Sequence, residues 1–196
     1  MKNPLVSICI PYYETEHSKV FLKRAIDSLR QQTYENWELI VTEDGTAAKN
    51  HNSAIRQATG DLIKILHTDD YFTHEKALES IVKAFTNDTK WLITGCSNNL
   101  NPVYMGDIHL GNNKLGAPSV LTIRKGEDVW FDENLVWLFD CDFYKRMYMK
   151  YGEPKIINGN HITIGEGPHQ ATNRIAQRQK DMEVLTMQKR YVHTTL

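Results

Sequence analysis

Cysteine is scarce in this chain. Cys9, Cys96 and Cys141 are far apart and odd in number among 196 residues. They form no disulfide framework, and no two of them have zinc-type spacing. An excess of one charge sign is also missing, with 23 Lys+Arg against 24 Asp+Glu and a net charge of −1. Without a basic field, the chain makes no case for nucleic acid or an anionic membrane. No apolar run approaches the ~18 residues of a transmembrane helix. Met1-Lys2-Asn3-Pro4 leads into a strand-like run too short for a signal-peptide core. The expected compartment is therefore the cytoplasm. Neither GxGxxG nor GxxxxGKS/T occurs, which argues against a dinucleotide dehydrogenase and a P-loop NTPase. What is present is ordinary globular composition, 41% apolar and 24% charged, at a length that suits one domain over residues 1–196.

Apolar runs and helical periodicity alternate along the first half. Leu5–Ile10 is β-branched and apolar, reads as a strand buried on both faces, and is closed by Pro11. Phe21, Leu22, Ala25, Ile26 and Leu29 recur at helical spacing, opposite Lys23, Arg24, Asp27 and Arg30. Trp37–Val41 reads as a second strand, ended by the turn-forming Asp44-Gly45. A helix over about 50–58 is expected to stop at Gly60 as a left-handed terminating glycine. Asp61–Leu66 reads as a third strand. A helix over 75–85 takes Thr73 as its cap, and Trp91–Thr94 is a fourth strand. This alternation predicts an α/β fold with a mostly parallel sheet flanked by helices. The pattern then becomes irregular. Residues 97–118 read as a long loop and Val120–Ile123 as a short strand. Residues 135–149 read as a helix, 155–164 as strand with a possible hairpin at Asn158-Gly159, and 172–191 as a polar helix.

Ligands of open α/β sheets bind beyond the carboxyl ends of the strands. Three segments fall there, each with a carboxylate: Pro11-Tyr12-Tyr13-Glu14, Thr42-Glu43-Asp44-Gly45 and His67-Thr68-Asp69-Asp70. Adjacent carboxylates repel unless a cation joins them. Oxygen ligands of this kind suit Mg²⁺ or Mn²⁺, which bridge to phosphate oxygens. The plain alternative is two solvated acids in a turn.

The order and spacing of three runs resemble the family 2 glycosyltransferases of the GT-A fold. These are IPYYE after the first strand, FLKRAIDSLRQQTYENWELIVTEDG, and NxAIxxATGDLIxxLxxDD at Asn52 to Asp70. A weaker likeness continues through LGAPSVLTIRK and FDENLVWLFDCDFYKRM and fades after about residue 152. The resemblance implies a GT-A domain with a small antiparallel portion in its C-terminal half. Residues 1–95 would form a nucleotide-sugar half, 96–170 an acceptor half and 171–196 a C-terminal helix. It implies inverting transfer of a sugar from a nucleotide-diphosphate sugar, UDP-linked by preference, to a hydroxyl of a glycan or other acceptor. Mn²⁺ or Mg²⁺ would assist.

By the same resemblance, Pro11, Tyr13 and Glu14 border the base and ribose, Asp44 meets the base, and Asn52 matches a substrate-side Asn. Asp70 is the metal ligand, Asp69 serves ribose or metal, and His169 is a late metal ligand by chain order. Asp140 falls at the position of the catalytic base. Asp142, two residues on, points about 200° away around a helix. The chain departs from the family twice. His67 stands where many relatives have the first Asp of a DADD run, either as a nitrogen ligand or as a hydrogen-bonding neighbour of the ligands. A strand–helix segment also appears to be missing between Thr46 and Asn52. These departures keep a non-catalytic nucleotide-sugar or glycan binder as an alternative. A sugar-phosphate nucleotidyltransferase is a weaker one, because its Gly-rich basic loop is absent. Arg174 and Arg178 are candidates for phosphate charge, and Trp130, Trp137, Tyr104 and Phe143 for stacking on sugars.

Overall fold

The computed structural model describes residues 3–126, 129–167 and 171–191. Three fully buried strands form its centre: β1 (Val6–Pro11), β3 (Leu62–Ile65) and β5 (Trp91–Cys96). They are the unbroken apolar runs of the sequence, as strands covered on both faces must be. The others are β2 (Trp37–Thr42), β4 (Tyr71–Phe72), β6 (Leu121–Arg124) and β7 (Lys155–Thr163). All seven join one sheet in the order β2-β1-β3-β6-β5-β7-β4. β2, β1 and β3 pair in parallel, as do β5 and β7. β6 lies antiparallel between β3 and β5, and β4 is antiparallel to β7. The expected mostly parallel sheet with a small antiparallel portion is what forms.

The helices are α1 (Ser18–Arg30), α2 (Ala47–Gln57), α3 (Ala77–Ala84), α4 (Phe139–Tyr151), α5 (Ala171–Arg174) and α6 (Gln177–Tyr191). On α1 the periodic apolar residues face inward, with Ala25 and Leu29 fully buried. α2 starts directly after the β2 turn, where the Thr46 side chain accepts from Lys49 N at 3.4 Å and caps the first turn. The connection from β2 to β3 is therefore this single helix.

Several sequence expectations change. Thr73 does not cap α3, whose capping residue Lys76 makes no side-chain bond. The Thr73 hydroxyl instead pairs with Thr163 and Asn160 across β7. Gly60 is not a left-handed terminator, since its φ is not positive. A Cβ there would lie 2.6 Å from the Leu5 carbonyl oxygen and 2.8 Å from Ser7 N, so close backbone approach requires the glycine. Asn158-Gly159 makes no hairpin. β7 runs through it as one strand, with a register shift against β5 between Thr94 and Cys96. The long loop contains short 3₁₀ turns at Ile108–Leu110 and Pro118–Val120. α4 starts at Phe139 rather than at 135. The preceding N–H groups of Val136, Trp137 and Leu138 all donate to the Glu183 carboxylate of α6, at 2.8–2.9 Å.

Polar side chains tie the layers together. Glu38 of β2 accepts from Ser7 Oγ, Thr59 N and Oγ1, and Gly60 N, which locks the α2–β3 turn to the sheet. Together these donors hold its carboxyl below the ordinary range, with the Ser7 hydroxyl contributing most. Lys64 of β3 is wholly buried and donates to the carbonyls of Ser119 and Leu121, which fixes β6 beside β3. Burial pulls this lysine down to about 7.

Candidate functional site

A cleft of about 290 Å³ opens at the carboxyl ends of β1 and β3. Pro11 and Tyr13 line it, with His67, Asp69 and Asp70 from the turn after β3 and Trp137, Phe139 and Asp140 from around the start of α4. Segments distant in sequence thus meet at one edge of the sheet, where α/β folds bind ligands.

The floor is the turn between β3 and β4. A ring nitrogen of His67 and one carboxylate oxygen each from Asp69 and Asp70 lie within 4.8 Å of one another. Asp70 is 2% exposed and accepts from Gly165 N at 2.8 Å. Burial pushes its carboxyl up, with His67 opposing and the Asp69 charge adding to the shift. Gly165 presses close: a Cβ there would sit 2.4 Å from the Asp69 carbonyl oxygen. Arg24 of α1 holds the same turn from outside. It donates to the Asp69 carbonyl at 2.5 Å and lies over the Tyr71 ring at 4.6 Å. A buried, desolvated carboxylate with a second acid and an imidazole beside it is a donor set that fits a divalent cation.

Asp140 occupies the first turn of α4. Asn113 Nδ2 donates to its Oδ2 at 3.1 Å, and Cys141 N donates to its Oδ1 at 2.7 Å. Burial raises its carboxyl above the usual range despite the Cys141 N–H and the nearby His67. Asp142 turns away from the cleft into a buried cluster. There Arg190 Nη1 lies at 2.8 Å and Tyr191 Oη at 2.7 Å from Oδ1, while Arg146 Nε lies at 2.8 Å from Oδ2. With Glu183, this cluster clamps α6 against the start of α4.

Not every candidate reaches the cleft. Glu14 is exposed and pairs with Lys19 at 3.1 Å. Asp44 pairs with Lys49 at 3.0 Å at the rim, where its charge still acts on the Tyr13 hydroxyl. Asn52 faces elsewhere. Its amide donates to Phe131 O and Glu133 Oε1 and accepts from Phe131 N, each at 2.9 Å, so it tethers the 131–133 loop and does not line the cleft. His169 lies outside the described residues. Arg174 and Arg178 are exposed and do not line the cleft. Of the aromatics, Trp137 lines it, Trp130 lies at the surface under Arg56. Phe143 is core and stacks on Phe131 at 4.3 Å, and Tyr104 stacks on Tyr148 at 4.1 Å.

His51 was not a sequence candidate. It sits on the buried stripe of α2 with Ala48, Asn52 and Ile55. Its ring packs on Phe131 and Phe139 with centroids 4.9 and 5.3 Å away. Its Nδ1 is 2.7 Å from Ala47 O, and its Nε2 is 3.0 Å from His67 Nε2. Burial pushes it down to about 3, so the ring is neutral. A polar residue in line with the apolar face of a helix was the available signal.

Residues 7–49 match the family model described as glycosyl transferase family 2. The β-1,3-glucosyltransferase WfgD of Escherichia coli, which uses UDP-Glc and α-D-GlcNAc-diphosphoundecaprenol, is 28% identical over 162 residues. That match covers 83% of this chain and 50% of WfgD. The putative colanic acid biosynthesis glycosyl transferase WcaA of Escherichia coli K12 is 25% identical over 218 positions, covering 87% of this chain and 76% of that protein. That alignment is longer than this whole chain, so WcaA carries residues that are missing here. The chain spans about half or less of the length of the first curated relatives it matches. Among solved structures, Staphylococcus aureus TarS with UDP-GlcNAc matches with TM-score 0.68 at 17% identity, over 97% of this chain and 67% of that one. The Pyrobaculum calidifontis mannosyltransferase PcManGT with GDP-Man and Mn²⁺ matches with TM-score 0.61 at 13% identity, over 96% and 64%. The fold is that of these GT-A structures.

Proposed function

We propose that this chain, a family 2-like glycosyltransferase of the GT-A fold, moves a sugar from a nucleotide-diphosphate sugar to an acceptor hydroxyl with inversion. One observation carries the reading: the acid-bearing turn at Asp69-Asp70 and Asp140, whose carboxyl burial raises, line one cleft together with Pro11 and Tyr13. The donor nucleotide lies against Pro11 and Tyr13, with Asp44 at the rim. Asp69 and Asp70, with His67 beside them, would hold a divalent ion, Mn²⁺ or Mg²⁺, which when bound offsets charge on the departing diphosphate. Asp140 takes the proton of the acceptor hydroxyl as that oxygen attacks the anomeric carbon. A carboxyl raised by burial is a better proton acceptor than an exposed one, and the Asn113 amide keeps it aimed. Trp137 and Phe139 supply apolar wall on the acceptor side. A UDP-sugar is the favoured donor, because UDP-Glc and UDP-GlcNAc appear with WfgD and TarS. The GDP-Man complex of PcManGT makes GDP-sugars the comparison.

The test is a panel of UDP- and GDP-sugars assayed for binding and turnover with Mn²⁺. Asp70→Asn should abolish metal-dependent nucleotide binding. Asp140→Asn should keep binding within a few-fold and lower turnover by about 10²–10⁴-fold, the usual contribution of a positioned base. Full turnover in Asp140→Asn would reject the base. Donor binding by the wild type without turnover on any acceptor would favour the non-catalytic alternative.

A further inference from the structure

The two histidines beside the cleft form a directed chain of hydrogen bonds. The Ala47 carbonyl oxygen only accepts, so His51 carries its proton on Nδ1, 2.7 Å away. Two N–H groups cannot face each other, so one of the two Nε2 atoms 3.0 Å apart must present a lone pair. The His51 ring lies against Phe131 and Phe139, and Nδ1 already holds the one proton of the neutral ring. His51 Nε2 is therefore the acceptor and His67 Nε2–H the donor. In neutral His67, the form that binds a metal, the nitrogen left with a lone pair is Nδ1. A ring nitrogen of His67 lies within 4.8 Å of carboxylate oxygens of Asp69 and the buried Asp70, and Asp70 makes no ion pair with Lys or Arg among the described residues.

We propose that His67 ligates the cation directly through Nδ1, in one nitrogen–oxygen–oxygen set with Asp69 and Asp70, and that His51 is a positioning residue that fixes the His67 tautomer. The proposal rests on reading this cleft as a metal-assisted donor site and goes beyond it. It assigns a ligand where the family resemblance expects an acid, and it names the ion class. A metal-bound imidazole almost always donates its other N–H to a fixed acceptor. Here that acceptor is a second imidazole, itself anchored to the α2 backbone. Replacing one oxygen ligand by nitrogen turns the site away from Mg²⁺, which prefers oxygen ligands and bound water, and toward a transition ion such as Mn²⁺.

The probe is the metal alone, Mn²⁺ or Mg²⁺, titrated into the full chain. Pulsed electron paramagnetic resonance of the Mn²⁺-loaded wild type should show coupling to a directly bound ¹⁴N. His67→Asp should lose that coupling and narrow the Mn²⁺-over-Mg²⁺ preference about tenfold or more, since it restores an all-oxygen set. His51→Phe, which fits an apolar pocket already lined by phenyl rings, should weaken Mn²⁺ binding about 10–100-fold, as loss of a ligand-orienting partner does. His51→Gln, whose amide oxygen still accepts, should recover part of that loss. Wild-type Mn²⁺ binding without ¹⁴N coupling, or Mn²⁺ affinity unchanged in His51→Phe, would overturn the nitrogen ligand while leaving the metal-assisted reading intact. Failure of the wild type to bind either ion would overturn both.

Discussion

The chemistry at the cleft floor depends on a few atoms placed within tenths of an ångström. Gly165 is one such place. Its N–H is a donor to Asp70, and its Cα lies against the Asp69 carbonyl with no room for a methyl group. Gly165→Ala should therefore lower stability by about 1–3 kcal/mol, the usual range for overpacking. It should also weaken Mn²⁺ binding by displacing the Asp69-Asp70 turn. Thermal unfolding and metal titration on the same variant check both. The acids of this turn were legible because an apolar strand ends where they begin. The fate of Asn52 was not, since a single Asn has no periodicity to distinguish a substrate contact from a backbone tether. His51 and His67 are likewise apart in sequence, and only the packing of α2 on β1 and β2, next to the turn that follows β3, brings their ring nitrogens to 3.0 Å.

At the scale of elements, side chains that reach across layers fix where helices start and strands turn. Glu38 is the clearest case, with four donors from β1 and the α2–β3 turn. Its carboxyl is lowered from the ordinary 4.5, so the unfolded chain holds that proton more tightly than the folded one. Stability from this group is whole above pH 4.5 and drains away as pH falls through the lower folded value. Glu38→Gln should cost about 1–2 kcal/mol at neutral pH, in line with lost hydrogen bonds to a charged group. The gap from wild type should shrink steadily below pH 4.5 in urea melts. A gap that widens in acid would contradict the assignment. Cys9 senses the same charge, but its buried thiol is pushed up to about 12 and stays neutral across that window. Helix α4 teaches a related lesson. Its periodic pattern reads back to residue 135, but the first N–H groups of that stretch are taken by Glu183 from α6, a partner 45–47 residues away. Local pattern predicted the helix, and a distant acid set its start.

For the whole molecule, the cleft draws on β1, the β3–β4 turn, α4 and the segment after β7, so a ligand there bridges parts of the chain far apart in sequence. UDP with Mn²⁺ at 100 times its dissociation constant should stabilise the fold by about 2.7 kcal/mol. For a chain of this size that is a rise of about 5–10 °C in Tm. Without Mn²⁺, or in Asp70→Asn, the rise should be absent, and differential scanning calorimetry reads both. Strand types and most helices were legible because buried parallel strands read as unbroken apolar runs. Strand order was not, because hydropathy says which residues are buried and not which strand lies beside which. The insertion of β6 between β3 and β5 is the main instance, and it bears on the order in which the sheet can close. β3 has no neighbour on that side until residues 121–124 have been synthesised. Until then Lys64 lacks the carbonyls it binds, 55 and 57 positions later in the chain. A nascent chain ending near residue 100 would thus carry an open strand edge beside a lysine that only the finished fold buries. Closing the sheet is a late, non-local step, the kind that makes folding slow and leaves partly made chains prone to aggregation.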